Sequence, residues 1–307
     1  MSKKEEEEVE DTEEGPEDDK PMSFWEHLDE LRKRMVRSLI ALALGCGVAW
    51  NYKEFILTTI TKPFSDSWRA EGVPGEPSLH FASPGDAFLA YFTLSMIGGL
   101  VLALPVVFYQ LWSFIAPGLY AKEKRYVFPF VFTSTALFVG GGYFGYLAAF
   151  PITFGYFLSL SGPVDQTITI TPTVMMEDYI SFVTKMFLGF GVIFQVPILF
   201  SFLALAGAVT HKKLIRWFRY YVFIAFFVAA ILTPPDWASQ LVMAVPAVLL
   251  YFVSIGLVYV FQRKEALEAD IEKEREEKLE KEKQEKQKAK EEEEEAEARR
   301  RRKARAK

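Results

Sequence analysis

Three things are scarce in this chain, and each scarcity excludes something. Cysteine occurs once, as Cys46, which excludes an internal disulfide and a multi-cysteine zinc cluster. Histidine occurs three times, at His27, His80 and His211, each near a predicted loop or helix end and too dispersed to build a metal site. Charge is scarce where it matters most. Residues 31–262 hold 15 Lys/Arg and 10 Asp/Glu, so about 11% of that stretch is charged, against about a quarter in a soluble domain. An ordinary soluble enzyme is thereby excluded. The whole-chain figures of 307 residues, 24% charged and a net charge of −5 hide this. They average a membrane-embedded core with two charged tails, residues 1–30 (3 Lys/Arg, 14 Asp/Glu) and 263–307 (17 Lys/Arg, 16 Asp/Glu).

Recognisable catalytic chemistry is also lacking. There is no Walker A loop, no HExxH, no GxSxG and no recoverable Ser/His/Asp set. No enzymatic activity, no cofactor and no nucleic-acid partner is expected. No three-plus-three internal repeat is visible. The first 22 residues are acidic and lack an apolar core, the reverse of a cleavable signal. The first apolar segment is expected to serve as its own insertion signal.

What is present is a set of six apolar segments, near 35–55, 88–115, 126–150, 179–205, 217–232 and 238–261. A spanning helix needs about 20 apolar residues, and prolines at 105, 129, 197 and 246 are tolerable in a bilayer. The fold class this predicts is an all-α membrane protein with six transmembrane helices. The fifth segment is short: 16 residues at ~1.5 Å each reach only ~24 Å. A short hairpin through Thr233-Pro234-Pro235-Asp236-Trp237 is expected, thinning the bilayer or shielded by neighbours.

Basic residues set the orientation. Arg32, Lys33, Arg34, Arg37, Lys122, Lys124, Arg125, Lys212, Lys213, Arg216, Arg219, Arg263 and Lys264 fall on one side; Lys53, Lys62 and Arg69 fall on the other. The positive-inside rule puts both termini in the cytoplasm, and six crossings agree. The two long outer loops, 56–87 and 151–178, are rich in Pro, Gly, Thr and Ser and are expected to pack as a cap. The domain division is an acidic, disordered tail over 1–22, a membrane domain over 23–262 and a charged tail over 263–307, helical or frayed. The basic end from Arg299 is either solvated or an anchor for anionic lipid headgroups, at ~1 kcal/mol per basic residue.

Polar residues in or beside the membrane are the informative ones, because burying them is costly. Ser23-Phe24-Trp25-Glu26 has capping-box spacing and starts an amphipathic helix carrying Glu30. Glu30 either pairs with Arg34 at i,i+4 or offers a carboxylate to a cationic ligand. Glu123, the sole acid of its loop, either balances Lys122, Lys124 and Arg125 or does the same. Gln195 suits an interhelical hydrogen bond, Lys185 suits snorkelling to the outer interface from about six residues, or ~9 Å, inside, and Asp236 suits a helix N-cap. Trp50, Tyr52, Tyr126, Trp217, Tyr220 and Trp237 read as interfacial anchors.

Four strings carry a resemblance: SFWEHLDELRKR at 23–34, YQLWSFIAPGLYAKEKR at 109–125, FGVIFQVP at 190–197 and LTPPDWASQ at 232–240. In order and spacing they resemble TatC, the large-subunit family of the twin-arginine protein translocase, over about 22–262. The resemblance implies binding of twin-arginine signal peptides and assembly, as a homo-oligomeric receptor complex, with small single-span subunits like TatA and TatB. It also implies export of folded proteins across the bacterial inner membrane, driven by the proton-motive force. Glu30 and Glu123 match the family's signal-recognition acids, and Phe114 matches an aromatic beside them. Carboxylates suit this task because the planar guanidinium fork pairs with them bidentately. The family's common Glu in the fourth span is Gln195 here. It can exchange hydrogen bonds but cannot titrate, so Gln195 and Gln240 are expected to dock partner helices. Pro63, Asp236 and Lys185 remain structural or gating candidates. The competing reading, a secondary transporter for small ions or solutes, would use Lys185 and the interior prolines.

Overall fold

In a bilayer every backbone N–H and C=O must be satisfied within the chain, and long apolar runs meet that demand as helices. The computed structural model describes residues 24–115, 127–165, 167–264 and, beyond them, 267, 271, 275 and 278, all four helical. The elements are α1 (Phe24–Asn51), α2 (Lys53–Ala70), α3 (Pro84–Ile115), α4 (Val127–Phe144), a π-turn at Gly145–Ala149, α5 (Phe150–Ser159), β1 (Gly162–Pro163), β2 (Thr169–Ile170), α6 (Met176–Ile193), α7 (Val196–Leu205) and α8 (His211–Leu232). A last helix, α9, covers Trp237–Lys264.

Five helical stretches are long and apolar enough to cross a membrane: Pro84–Ile115, Phe128–Ser159, Met176–Leu205, His211–Leu232 and Trp237–Lys264. The sixth crossing begins with α1, which meets the criterion together with α2 after a 79° bend. The six-helix expectation therefore holds. Six crossings put residue 24 and residue 264 at one end of the bundle, called here the terminal face; the other end is the far face.

Prolines decide where the crossings break. Pro151 has no N–H to donate back by one turn, and the chain accommodates this with the π-turn just before it. Pro197 does the same to the fourth crossing: α6 ends at Ile193, Phe194 and Gln195 form a turn, and α7 restarts at Val196. By contrast α3 runs through Pro105 unbroken.

Several sequence expectations need correction. The stretch 56–87 is not mainly loop, because Pro63 sits buried within α2. Likewise 151–178 begins with α5. In both stretches Pro, Ser and Thr residues mask an amphipathic helix in the sequence. The cap is built from these helices and the loops beyond them. Its core is aromatic: the ring centroids of Phe64 and Phe154 each lie 5.4 Å from that of Tyr179, whose hydroxyl donates to the Ile60 carbonyl at 2.7 Å. The two loops are joined by a parallel bridge, in which the His80 N–H donates to Val174 (2.9 Å) and the Met176 N–H donates to His80 (2.6 Å). In the hairpin of β1 and β2, the Thr167 hydroxyl and the amides of Thr167 and Ile168 bond the Asp165 carboxylate and hold it below its usual range.

The fifth helix is also longer than read, 22 residues rather than 16, since its first turns are polar: Lys212, Lys213, Arg216 and Arg219 extend it beyond the apolar run. Gln262 ties its start to α9, accepting from the His211 N–H at 3.3 Å and pairing with Nδ1 at 2.7 Å. Asp236 caps α9 as expected, its Oδ1 accepting from the Ser239 N–H at 2.7 Å. Ser23, of the anticipated capping box, lies outside the described residues.

The tightest joint is between α1 and α3. A Cβ on Gly45 would sit 2.5 Å from the Gly99 carbonyl oxygen, and one on Gly99 would sit 2.6 Å from the Cys46 Cα. Such backbone proximity is how apolar helices associate in lipid, where no hydrophobic drive separates helix from solvent. Gly99→Ala is expected to lower thermal stability in detergent by about 1–3 kcal/mol through overpacking. Gly140→Ala, where a Cβ meets nothing within 4 Å, should be neutral or slightly stabilising. Asp236→Ala should cost about 0.5–2 kcal/mol through loss of the cap, and Asp236→Asn only a fraction of that; the same melting measurement reads both.

Candidate functional site

At the terminal face, the first three turns of α1 carry His27, Glu30 and Arg34 at i, i+3 and i+7, which share one side of the helix. The Glu30 and Arg34 side chains are only 22% and 19% exposed. Arg34 Nε donates to Glu30 Oε1 at 2.9 Å, and Nη2 donates to the same oxygen. The i,i+4 pairing weighed from the sequence is therefore present. It leaves the other oxygen unused: Glu30 Oε2 is buried and accepts no hydrogen bond among the described residues. Its neighbour His27 Nδ1 is 3.9 Å away, an ion-pair distance but too long for a hydrogen bond. On the next position outward, Lys33 pairs with Asp29 at 2.7 Å.

Phe114, at the end of α3, stacks on His27 with ring centroids 4.4 Å apart and planes 15° apart. The structure thus brings Phe114 and Glu30 into one layer through His27. Glu123, the second acid expected here, lies outside the described residues.

Two residues of this layer were missed by sequence reading. The wide spacing of the three histidines hides His27 in the sequence, although its i,i+3 spacing to Glu30 is a usable signal. Gln110 was not singled out at all. It is 8% exposed, and its carboxamide oxygen is buried without a donor among the described residues. It lies one turn before Phe114.

The remaining candidates lie elsewhere. Gln195 is half-buried at the α6–α7 break, and its Nε2 donates to the Ser134 carbonyl at 3.0 Å. The Ser134 hydroxyl in turn accepts from Trp112 Nε1 at 2.9 Å. Gln240, in the first turn of α9, donates Nε2 to the Phe226 carbonyl at 3.1 Å. The two glutamines sit at different depths, ~28 Å and ~5 Å from the far-face ends of their helices at ~1.5 Å per residue. Lys185 is exposed and follows Met176 by nine positions, or ~14 Å, deeper than the ~9 Å read from sequence because α6 starts earlier. Pro63 helps line a pocket of about 500 Å³ between α2 and α5, with Lys62, Asp66, Glu71 and Tyr146. Among the described residues, no three His, Cys, Asp or Glu side chains gather where a metal ion could sit.

What the terminal-face layer can do follows from its donors and acceptors. It offers a half-used carboxylate and a flat aromatic pair, and so can hold a cation with several N–H donors.

Residues 26–246 match the family model "Sec-independent protein translocase protein (TatC)". Similar proteins of that name include one from Koribacter versatilis (strain Ellin345), 38% identical over 257 residues, covering 81% of this chain and 92% of the relative. Another, from Desulforapulum autotrophicum, is 40% identical over 242 residues, covering 79% and 86%. A crystal structure described as the twin arginine translocase receptor TatC superposes with a TM-score of 0.66 at 34% identity, covering 76% of this chain and 98% of that one. The small-solute transporter reading finds no support among these relatives. The chain belongs to the TatC family of Sec-independent protein translocase proteins and is a multi-pass membrane protein.

Proposed function

We propose that this protein is the receptor subunit of a twin-arginine translocase, without catalytic activity of its own. It lies in a bacterial cytoplasmic membrane with both termini in the cytoplasm, so that the terminal face meets signal peptides before export. The 13-to-3 distribution of basic residues supports that orientation. Glu30 and Glu123 receive the two guanidinium groups, and Phe114 packs against apolar residues of the signal. The single observation that carries this reading is the buried Glu30 Oε2, which accepts no hydrogen bond among the described residues, beside the His27–Phe114 stack. A buried carboxylate oxygen without a donor is costly in a resting protein, and its cost is recovered when a donor arrives.

Small single-span subunits dock against the lipid-facing side of α8 and α9, which leaves Phe223, Phe227, Ile231 and Val253 exposed. Because Gln195 and Gln240 sit at different depths, a spanning partner helix meets them in succession. Several copies of the chain share one receptor complex, and export of folded proteins draws on the proton-motive force.

Binding of a twin-Arg signal peptide, titrated against its twin-Lys version, tests the site. Glu30→Gln and Glu123→Gln are each expected to weaken twin-Arg binding by about 1.5–3 kcal/mol, the value of a hydrogen bond to a charged group. Unchanged binding after both substitutions would sink the assignment. Gln195→Leu should reduce co-purification of single-span partners more than peptide binding. Equal loss of both would instead indicate general misfolding.

A further inference from the structure

The α1–α3 seam contains a second observation that the receptor reading does not use. Gly99 faces α1 at Cys46, and Phe114 faces it at His27. Gln110 is eleven positions after Gly99, a rotation of ~1,100° at 3.6 residues per turn, so it points within ~20° of the same direction. In this antiparallel pair, eleven positions back along α1 from Gly45 is Arg34. Counting instead from the Phe114–His27 contact places Gln110 opposite Leu31, one turn before Arg34, so Gln110 lies in the seam against the turn of α1 from Leu31 to Arg34, and its buried oxygen has no donor among the described residues. A peptide cannot enter a seam between two packed helices, whereas a side chain of α1 can.

We propose that Arg34 is a two-station side chain that occupies Glu30 when the site is empty and moves to Gln110 Oε1 when a signal-peptide arginine arrives. The idea rests on Glu30 being the peptide's acceptor. In the empty site Arg34 supplies the positive charge that a covered carboxylate needs. It does so on Oε1 alone, so the arriving guanidinium can begin on Oε2 before Arg34 leaves. The displaced Arg34 has five N–H donors to satisfy, and the Gln110 oxygen takes one of them. Arg34 therefore lowers the apparent affinity by the fraction of time it holds Glu30, and Gln110 restores part of that affinity by receiving it.

The test is peptide titration on the full-length chain in nanodiscs, using a twin-Arg signal peptide and a double-mutant cycle. Arg34→Gln is expected to tighten binding about three- to tenfold by removing the competitor. Gln110→Leu should weaken binding severalfold in the native background and change nothing in the Arg34→Gln background. Gln110→Glu, a stronger second station, should tighten binding, a sign that a packing defect would not produce. In the Glu30→Gln background, Arg34→Gln should give no gain.

If Arg34→Gln leaves binding unchanged or weaker while Glu30→Gln still weakens it, the two-station idea is overturned and the receptor reading stands. A gain from Arg34→Gln that persists in the Glu30→Gln background means general charge repulsion and overturns it too. An equal effect of Gln110→Leu in both backgrounds removes Gln110 from the scheme. If Glu30→Gln itself has no effect, the receptor assignment of Glu30 fails, and this proposal with it.

Discussion

The close approach of α1 and α3 is the constraint on which the rest of the molecule depends. Gly45, Cys46 and Gly99 bring two backbones to a distance that no side chain could share. Once that joint is set, the antiparallel register follows along the whole seam. It carries Phe114 onto His27 and sets Gln110 against the turn of α1 from Leu31 to Arg34. A candidate binding layer some 15 positions away is thus positioned by three small residues in the middle of the membrane, where the nearby Ser95 hydroxyl bonds its own helix at the Tyr91 carbonyl rather than α1. Van der Waals fit does the work that hydrogen bonds do elsewhere.

Prolines then shape what the seam does not. Pro151 and Pro197 each remove a donor inside a crossing, and the chain answers differently: one π-turn without loss of direction, and one break with a restart. The break puts Gln195 at a helix start, where its amide nitrogen reaches the neighbouring α4 at Ser134. A polar side chain in the bilayer is thereby partnered at the place where the backbone is least regular.

The six crossings were legible because apolar runs of this length have few other fates, and the Asp236 cap was legible because a carboxylate before a helix has a well-defined local partner. Helices α2 and α5 were not legible. Their apolar residues, such as Phe64 and Phe154, are spaced for a helix but interleaved with Pro, Ser and Thr, which weigh toward loops. The polar start of α8 was missed for a related reason, since hydropathy ends where the helix does not. At the site, Glu30 and Phe114 were reached through motif resemblance. Gln110 was not, because an amide in an apolar helix looks the same in sequence whether it is satisfied or left without a partner. Only the register of two helices distinguishes them.

The bridge of His80 to Met175 and the Tyr179 hydroxyl on Ile60 have a mechanical meaning. They staple the first two crossings to the middle pair at the far face, over an aromatic floor. At the terminal face the tie between α8 and α9 is polar too, through His211 and Gln262. The far ends of the first four crossings are thereby locked to one another, so a load on the terminal face is borne by helices clamped at their opposite ends.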